Sequence, residues 1–330
     1  MKKLLQTLVS LGMLCTLLTG CTNIRTKITY TVYPLGYIIE RLVGNNLQYQ
    51  SIQDDNTIVT KATIADDYKK ILKTSKVLFH IGDLEPYYST HVNEIKESGI
   101  TDIDLSSHNA VYGFERYTKK ETDEGEQFVA SPYYDGSIFD SIDMYEKDLY
   151  LWMDPITMVS MAKDIKDYLV NANPSLSSTI DANFKSLEED LINIDAQYQN
   201  LSNNLEKNHE KICFASMSSS FGAWQKAYGF AVYPIVLSRY GSLPNAEQLA
   251  AIEKRIQEDG VKYIAYEPNM SEDMIDLFNT VQKDCDLTRI DLCNLSSLSD
   301  EENNAGKDYI SISYENLKVL ESIVEADGEE

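Results

Sequence analysis

Positive charge is the first thing this sequence is short of. Its 330 residues carry 29 Lys and Arg against 52 Asp and Glu, a formal net charge of -23. Phosphate backbones are held by Lys/Arg surfaces, so nucleic acid is excluded as a partner. A surplus of carboxylates suits the gathering of cations, or plain solubility. Histidine is scarcer still, with only His80, His91, His108 and His209. No paired-His metal motif, Ser-His-Asp order or phosphate-cradling glycine loop stands out, and Ser216-Met217-Ser218-Ser219-Ser220 lacks the glycines of a nucleophile elbow. The chain is not read as an enzyme.

Apolar residues, at 43%, are plentiful enough for real cores, and the length permits two domains. Lys2 and Lys3 precede an apolar run from Leu4 to Leu18, followed by Thr19-Gly20-Cys21. Those are the parts of an export signal, too short and interrupted for a comfortable membrane span. Leu18-Thr19-Gly20-Cys21 also resembles a bacterial lipobox. That resemblance implies removal of residues 1–20, acylation of Cys21 (the palmitate-type anchor) and a lipidated tether over 21–27. The protein is then expected at the cell membrane on its extracytoplasmic side. Cys213, Cys285 and Cys293 remain, permitting one disulfide and one free thiol. A Cys213–Cys285 bridge is conceivable, since each lies in or beside an expected strand, but the sequence does not choose the pairing.

From Ile28 onward, apolar strands such as Val77–Ile81 alternate with helical patterns such as Leu35–Val43 and Pro86–Ser98. The same rhythm returns from Ile212 to the closing helix at Asp308–Glu325. Alternation of this kind implies parallel sheets with helices on both faces. Residues 109–148 interrupt it with an acidic stretch that reads as a long surface loop. After Leu151-Trp152-Met153-Asp154-Pro155 comes one long stripe: Leu176, Ile180, Phe184, Leu187, Leu191, Ile194, Tyr198, Leu201 and Leu205 share a single helix face. The expected fold is therefore α/β, with lobes at 28–154 and 208–330 joined by linking helices over 155–207.

These pieces together resemble the substrate-binding lipoproteins of zinc and manganese ABC importers. The resemblance is carried by Thr31-Val32-Tyr33-Pro34-Leu35, Gly82 with Leu84-Glu85-Pro86, the tryptophan motif, Asn173-Pro174, Phe221-Gly222, Tyr266-Glu267-Pro268 and Asp308-Tyr309. It implies two lobes with a ligand cleft between them and a rigid helix limiting hinge motion. It also implies a monomer that hands a divalent cation to a membrane permease. The family's cation is held by histidines and carboxylates, a sensible donor set for zinc or manganese.

This chain departs from the implied ligand set. The first position falls in Ile58-Val59-Thr60, which has neither imidazole nor carboxylate; the second is Tyr150 and the third Ser218. Only Asp291 matches, as a carboxylate ending a strand. His80 and Glu267, each at the end of a strand, are candidate replacement ligands, with Tyr150 and Ser218 lining the cleft. The expected function is a metal-type binding lipoprotein with a degenerate or remodelled site. The alternative is a binder of a small organic ligand, or a surface adhesion or interaction protein.

Overall fold

The computed structural model describes residues 27–328 apart from Asp55, Asn56 and Glu124. The export segment, Cys21 and nearly all of the tether expected over 21–27 lie outside the described residues.

The first lobe opens with strand β1 (Lys27–Tyr30), and Pro34 then sits in the first turn of helix α1 (Tyr33–Val43), where a missing N–H costs nothing. Strand β2 (Gln48–Ser51), helix α2 (Tyr68–Thr74), strand β3 (Val77–His80), helix α3 (Pro86–Glu97) and strand β4 (Thr101–Asp104) follow. The four strands form one parallel sheet in the order β2-β1-β3-β4. β3 is buried throughout: Val77 and Phe79 face the main core while Leu78 faces a second, smaller cluster with Ile52, Leu72 and Ile95. This is the period-two alternation of a strand covered on both faces.

The second lobe repeats the plan. Strand β7 (Cys213–Ser216), strand β8 (Ala231–Pro234), strand β9 (Tyr263–Tyr266) and strand β10 (Thr288–Asp291) form a parallel sheet in the order β10-β9-β7-β8. Read in chain order, this is the arrangement of the first sheet. In each, the order reverses between the first and third strands, the place where α/β sheets bind ligands at their carboxyl ends.

Between the lobes run helix α4 (Pro155–Ala172) and helix α5 (Ser177–Asn208). Asp154 caps α4 by accepting from the Ile156 amide, and α5 extends about 48 Å. The stripe on α5 is buried at Ile180, Leu187, Leu191, Ile194, Tyr198, Leu201 and Leu205, while Phe184 is half-buried. One end of α5 holds lobe one, where Asn183 donates to the Leu42 carbonyl and Asp190 pairs with Arg41 at 2.6 Å. The other end holds lobe two, where Tyr198 donates to the Ser313 carbonyl in the closing helix (Tyr309–Gly328). One contiguous core runs through both lobes and this helix.

One expectation is corrected, and one open question is answered. The acidic stretch 109–148 is not simply a loop. Arg116–Thr122 (β5) and Gly125–Ser131 (β6) pair as an antiparallel hairpin, and Phe114, Tyr133, Tyr134, Phe139 and Tyr145 anchor its flanks in the core. No Cys213–Cys285 bridge forms. None of Cys213, Cys285 and Cys293 is in a disulfide: Cys213 begins β7, while Cys285 follows the helix Glu272–Asp284 and faces Gln257 and the Glu253 carbonyl.

Candidate ligand site between the lobes

At the order reversal of the second sheet, β7 runs on through Met217 into Ser218-Ser219-Ser220, and β9 ends beside Glu267. Glu267 is fully buried and amply partnered. It accepts from the Ser218 amide at 2.8 Å, the Ser218 hydroxyl at 2.5 Å and the Asn294 side-chain amide at 2.6 Å. Burial raises its pKa, and these donors act in the opposite sense. Asn294 and Asn269 exchange amide hydrogen bonds, and Asn269 also donates to the hydroxyls of Ser296 and Ser297. The donors satisfying this seam thus come from three separate loops of lobe two. Trp152 ties the motif before α4 to it by donating to the Asn294 carbonyl at 2.8 Å.

Lobe one closes onto the same seam. Ile58 donates its amide to the Asn269 carbonyl at 3.2 Å, and Val59 and Thr60 are buried beside it. Lys61 reaches Asp273 of lobe two at 3.4 Å. Gly241 makes the approach possible: it has a φ of +64°, and a Cβ there would lie 2.8 Å from the Thr60 hydroxyl. A further tie joins Arg239 to Asp83 at 2.7 Å. The segment Ile58-Val59-Thr60 therefore packs directly on lobe two.

Tyr150 is fully buried between the lobes. Its phenol lies near Ser219 and Tyr145, makes no hydrogen bond of good geometry, and is pushed well above its ordinary pKa by burial. What the seam offers chemically is hydroxyls, amides and one carboxylate. Zinc prefers imidazole and thiolate, and among the described residues no three His, Cys, Asp or Glu side chains stand close enough to hold a metal ion.

The structure brings Tyr150, Ser218 and Glu267 to this seam but not the other two candidates. The Asp291 side chain is 71% exposed and pairs with Arg289, whose guanidinium stacks over Tyr266. It cannot face the seam because only Ile290 of β10 points inward, and strand neighbours point to opposite faces. His80 is buried within lobe one, stacked on Tyr88, with Nδ1 at the Gly82 carbonyl and Nε2 near the Tyr88 hydroxyl and Asp102. It borders a cavity of about 840 Å³ at the carboxyl ends of β3 and β4, walled by Asp83, Asp102, Asp104 and Arg239. Asn269, Asn294 and Ser296, which build the seam, carry no sequence motif. Their only signal is a run of small polar residues after an apolar strand.

Two parallel α/β lobes of matching strand order, pinned by one long helix and meeting at a buried polar seam, define a two-lobed solute-binding protein. Residues 28–323 match the family described as ZnuA, zinc-uptake complex component A, periplasmic, and the chain belongs to that family, whose members bind solutes and are not enzymes. It is 27% identical over 185 residues to the zinc-binding lipoprotein AdcA of Streptococcus pneumoniae R6, covering 56% of this chain and 35% of that protein. It is 22% identical over 319 residues to the zinc-binding protein AdcA of Streptococcus pyogenes serotype M6, covering 93% of this chain and 57% of that one. The chain thus spans about a third to just over half the length of these curated relatives. Its fold matches the periplasmic zinc binding protein TroA from Treponema pallidum with a TM-score of 0.69 at 14% identity, covering 90% of this chain and 98% of that one.

Proposed function

We propose that this chain is the extracytoplasmic binding component of an ABC importer of the zinc-uptake type, anchored through Cys21, whose ligand centre has been rebuilt. It passes its solute to a membrane permease as a monomer. It does not hold zinc or manganese as a tightly coordinated transition metal. The observation that carries this reading is the hydrogen-bonded seam of Ser218, Glu267, Asn269 and Asn294, with Tyr150 and Thr60 buried beside it. Of the positions where the family resemblance implies metal ligands, Ser218 is tied into this network and Tyr150 is buried beside it. One carboxylate with neutral oxygens around it is a weak site for a transition metal at neutral pH. Glu267 acts as the node of the seam, and Asp291 and His80 are assigned no part in ligand binding.

The test is to strip the purified protein with chelator and titrate zinc and manganese calorimetrically, after measuring the metal that co-purifies. No submicromolar binding and no stoichiometric co-purified metal are expected. One equivalent of either ion held at submicromolar affinity would overturn the reading.

A further inference from the structure

A separate cavity of about 170 Å³ has Tyr150 in its wall. Its walls come from helix α6 (Gly222–Tyr228), the motif before α4 and the base of the hairpin. Tyr112, Tyr117, Leu151 and Ala223 make it largely apolar. Two opposite charges also line it, Lys226 and Asp148, and they do not pair with each other.

Among the described residues, Lys226 has no carboxylate within ion-pair distance. Its ammonium rests on the Tyr112 ring, 3.3 Å from the centroid, with the Tyr117 ring 5.2 Å away, and burial lowers its pKa. Asp148 has no basic partner among the described residues. One oxygen accepts from the Tyr150 amide at 3.0 Å, while the other lies over Gly222, where a Cβ would stand only 2.2 Å from it. Glycine at 222 thus leaves room for the carboxylate in the cavity wall. Burial pushes the Asp148 carboxyl up to about 7. Each group is partly desolvated without the counter-charge that would offset the cost.

From this geometry we infer that the cavity is a binding site for a small zwitterion, an amino acid or betaine, whose carboxylate meets Lys226 and whose ammonium meets Asp148. One such molecule supplies both missing counter-charges at once, and its apolar part lies against the tyrosines. The site goes beyond the proposed function and stands whether or not zinc binds at the seam, because none of its residues hydrogen-bonds to Ser218, Glu267 or Asn294.

The test is to titrate the purified full chain with glycine, L-alanine, L-valine and glycine betaine, following the fluorescence of Trp152 and Trp224. Propylamine and propionate serve as the single-charge halves. At least one zwitterion should saturate below about 10 mM, with both halves at least about tenfold weaker. Lys226→Met and Asp148→Asn should each weaken it at least about tenfold. Gly222→Ala, which displaces the carboxylate, should do the same. Should Asp148→Asn fail to fold, Lys226→Met alone still decides. The inference is overturned if propylamine binds as well as the zwitterions, if propionate does, or if nothing saturates by about 50 mM.

Discussion

Two buried glutamates, one in each lobe, show how differently the two halves treat the same charge. Both follow the third strand of a sheet with the same strand order, and both are wholly inaccessible. Glu267 in lobe two is met by Ser218 and Asn294, so its burial is matched by directed donors. Neither oxygen of Glu85 in lobe one has a hydrogen-bond partner of good geometry, and the nearby Thr31 hydroxyl is likewise unsatisfied. Burial pushes the Glu85 carboxyl up to about 7. Glu267 holds its lobe together as a hydrogen-bonded node. Glu85 is a group that the fold tolerates best when it is protonated.

The largest expected effect comes from breaking the partnered member. Glu267→Ala leaves the buried Ser218 backbone amide without an acceptor and takes one of two acceptors from the Ser218 hydroxyl and from the Asn294 side-chain amide. It should cost on the order of 4 kcal/mol in denaturant unfolding. A loss under about 1 kcal/mol would mean that the seam does not organise lobe two.

Glu85 should respond to pH instead. Its folded pKa of about 7 lies above the ordinary 4.5. The stability it permits is therefore fully present below about pH 4.5, where both states are protonated, and is lost as pH rises through about 7. The loss is on the order of 3 kcal/mol. Glu85→Gln should accordingly raise stability at pH 8 and change little at pH 4.5, as measured by paired melts. An equal shift at both pH values would show that the side chain acts through packing alone.

The smallest effect is expected at Asp291. Its ion pair with Arg289 is exposed, and such pairs contribute little. Asp291→Ala should stay within about 0.5 kcal/mol of the parent and leave any ligand affinity unchanged. A weakening of ligand binding would return Asp291 to the site.

The two-lobed plan was legible in the sequence because period-two strands, capped helices and the α5 stripe each leave a regular trace. Trp152 was legible as a joint, and the structure gives the reason in its bond to the Asn294 carbonyl. The β5–β6 hairpin was not, since the acids of 121–148 mask the short alternation around Tyr117 and Phe128. At the seam, Tyr150 and Ser218 could be picked out through the family resemblance, and Glu267 through its place at the end of a strand. Asn269, Asn294 and Ser296 could not, because neutral side chains in loops take their meaning only from what they meet. Asp291 was named through the same resemblance, as a carboxylate ending a strand. The alternation of Arg289, Ile290 and Asp291 already set it on the face opposite Ile290.

The hydroxyls of Tyr150 and Ser218 stand where the family resemblance implies metal ligands. Competition for zinc against a chromophoric chelator tests the proposed rebuilding of the ligand centre most directly, with the chelator-stripped parent beside a Tyr150→His/Ser218→His double variant. The parent is predicted to take no zinc at submicromolar concentration, and the variant to bind at least about tenfold more tightly. A parent that already takes one equivalent of zinc at submicromolar concentration would contradict it.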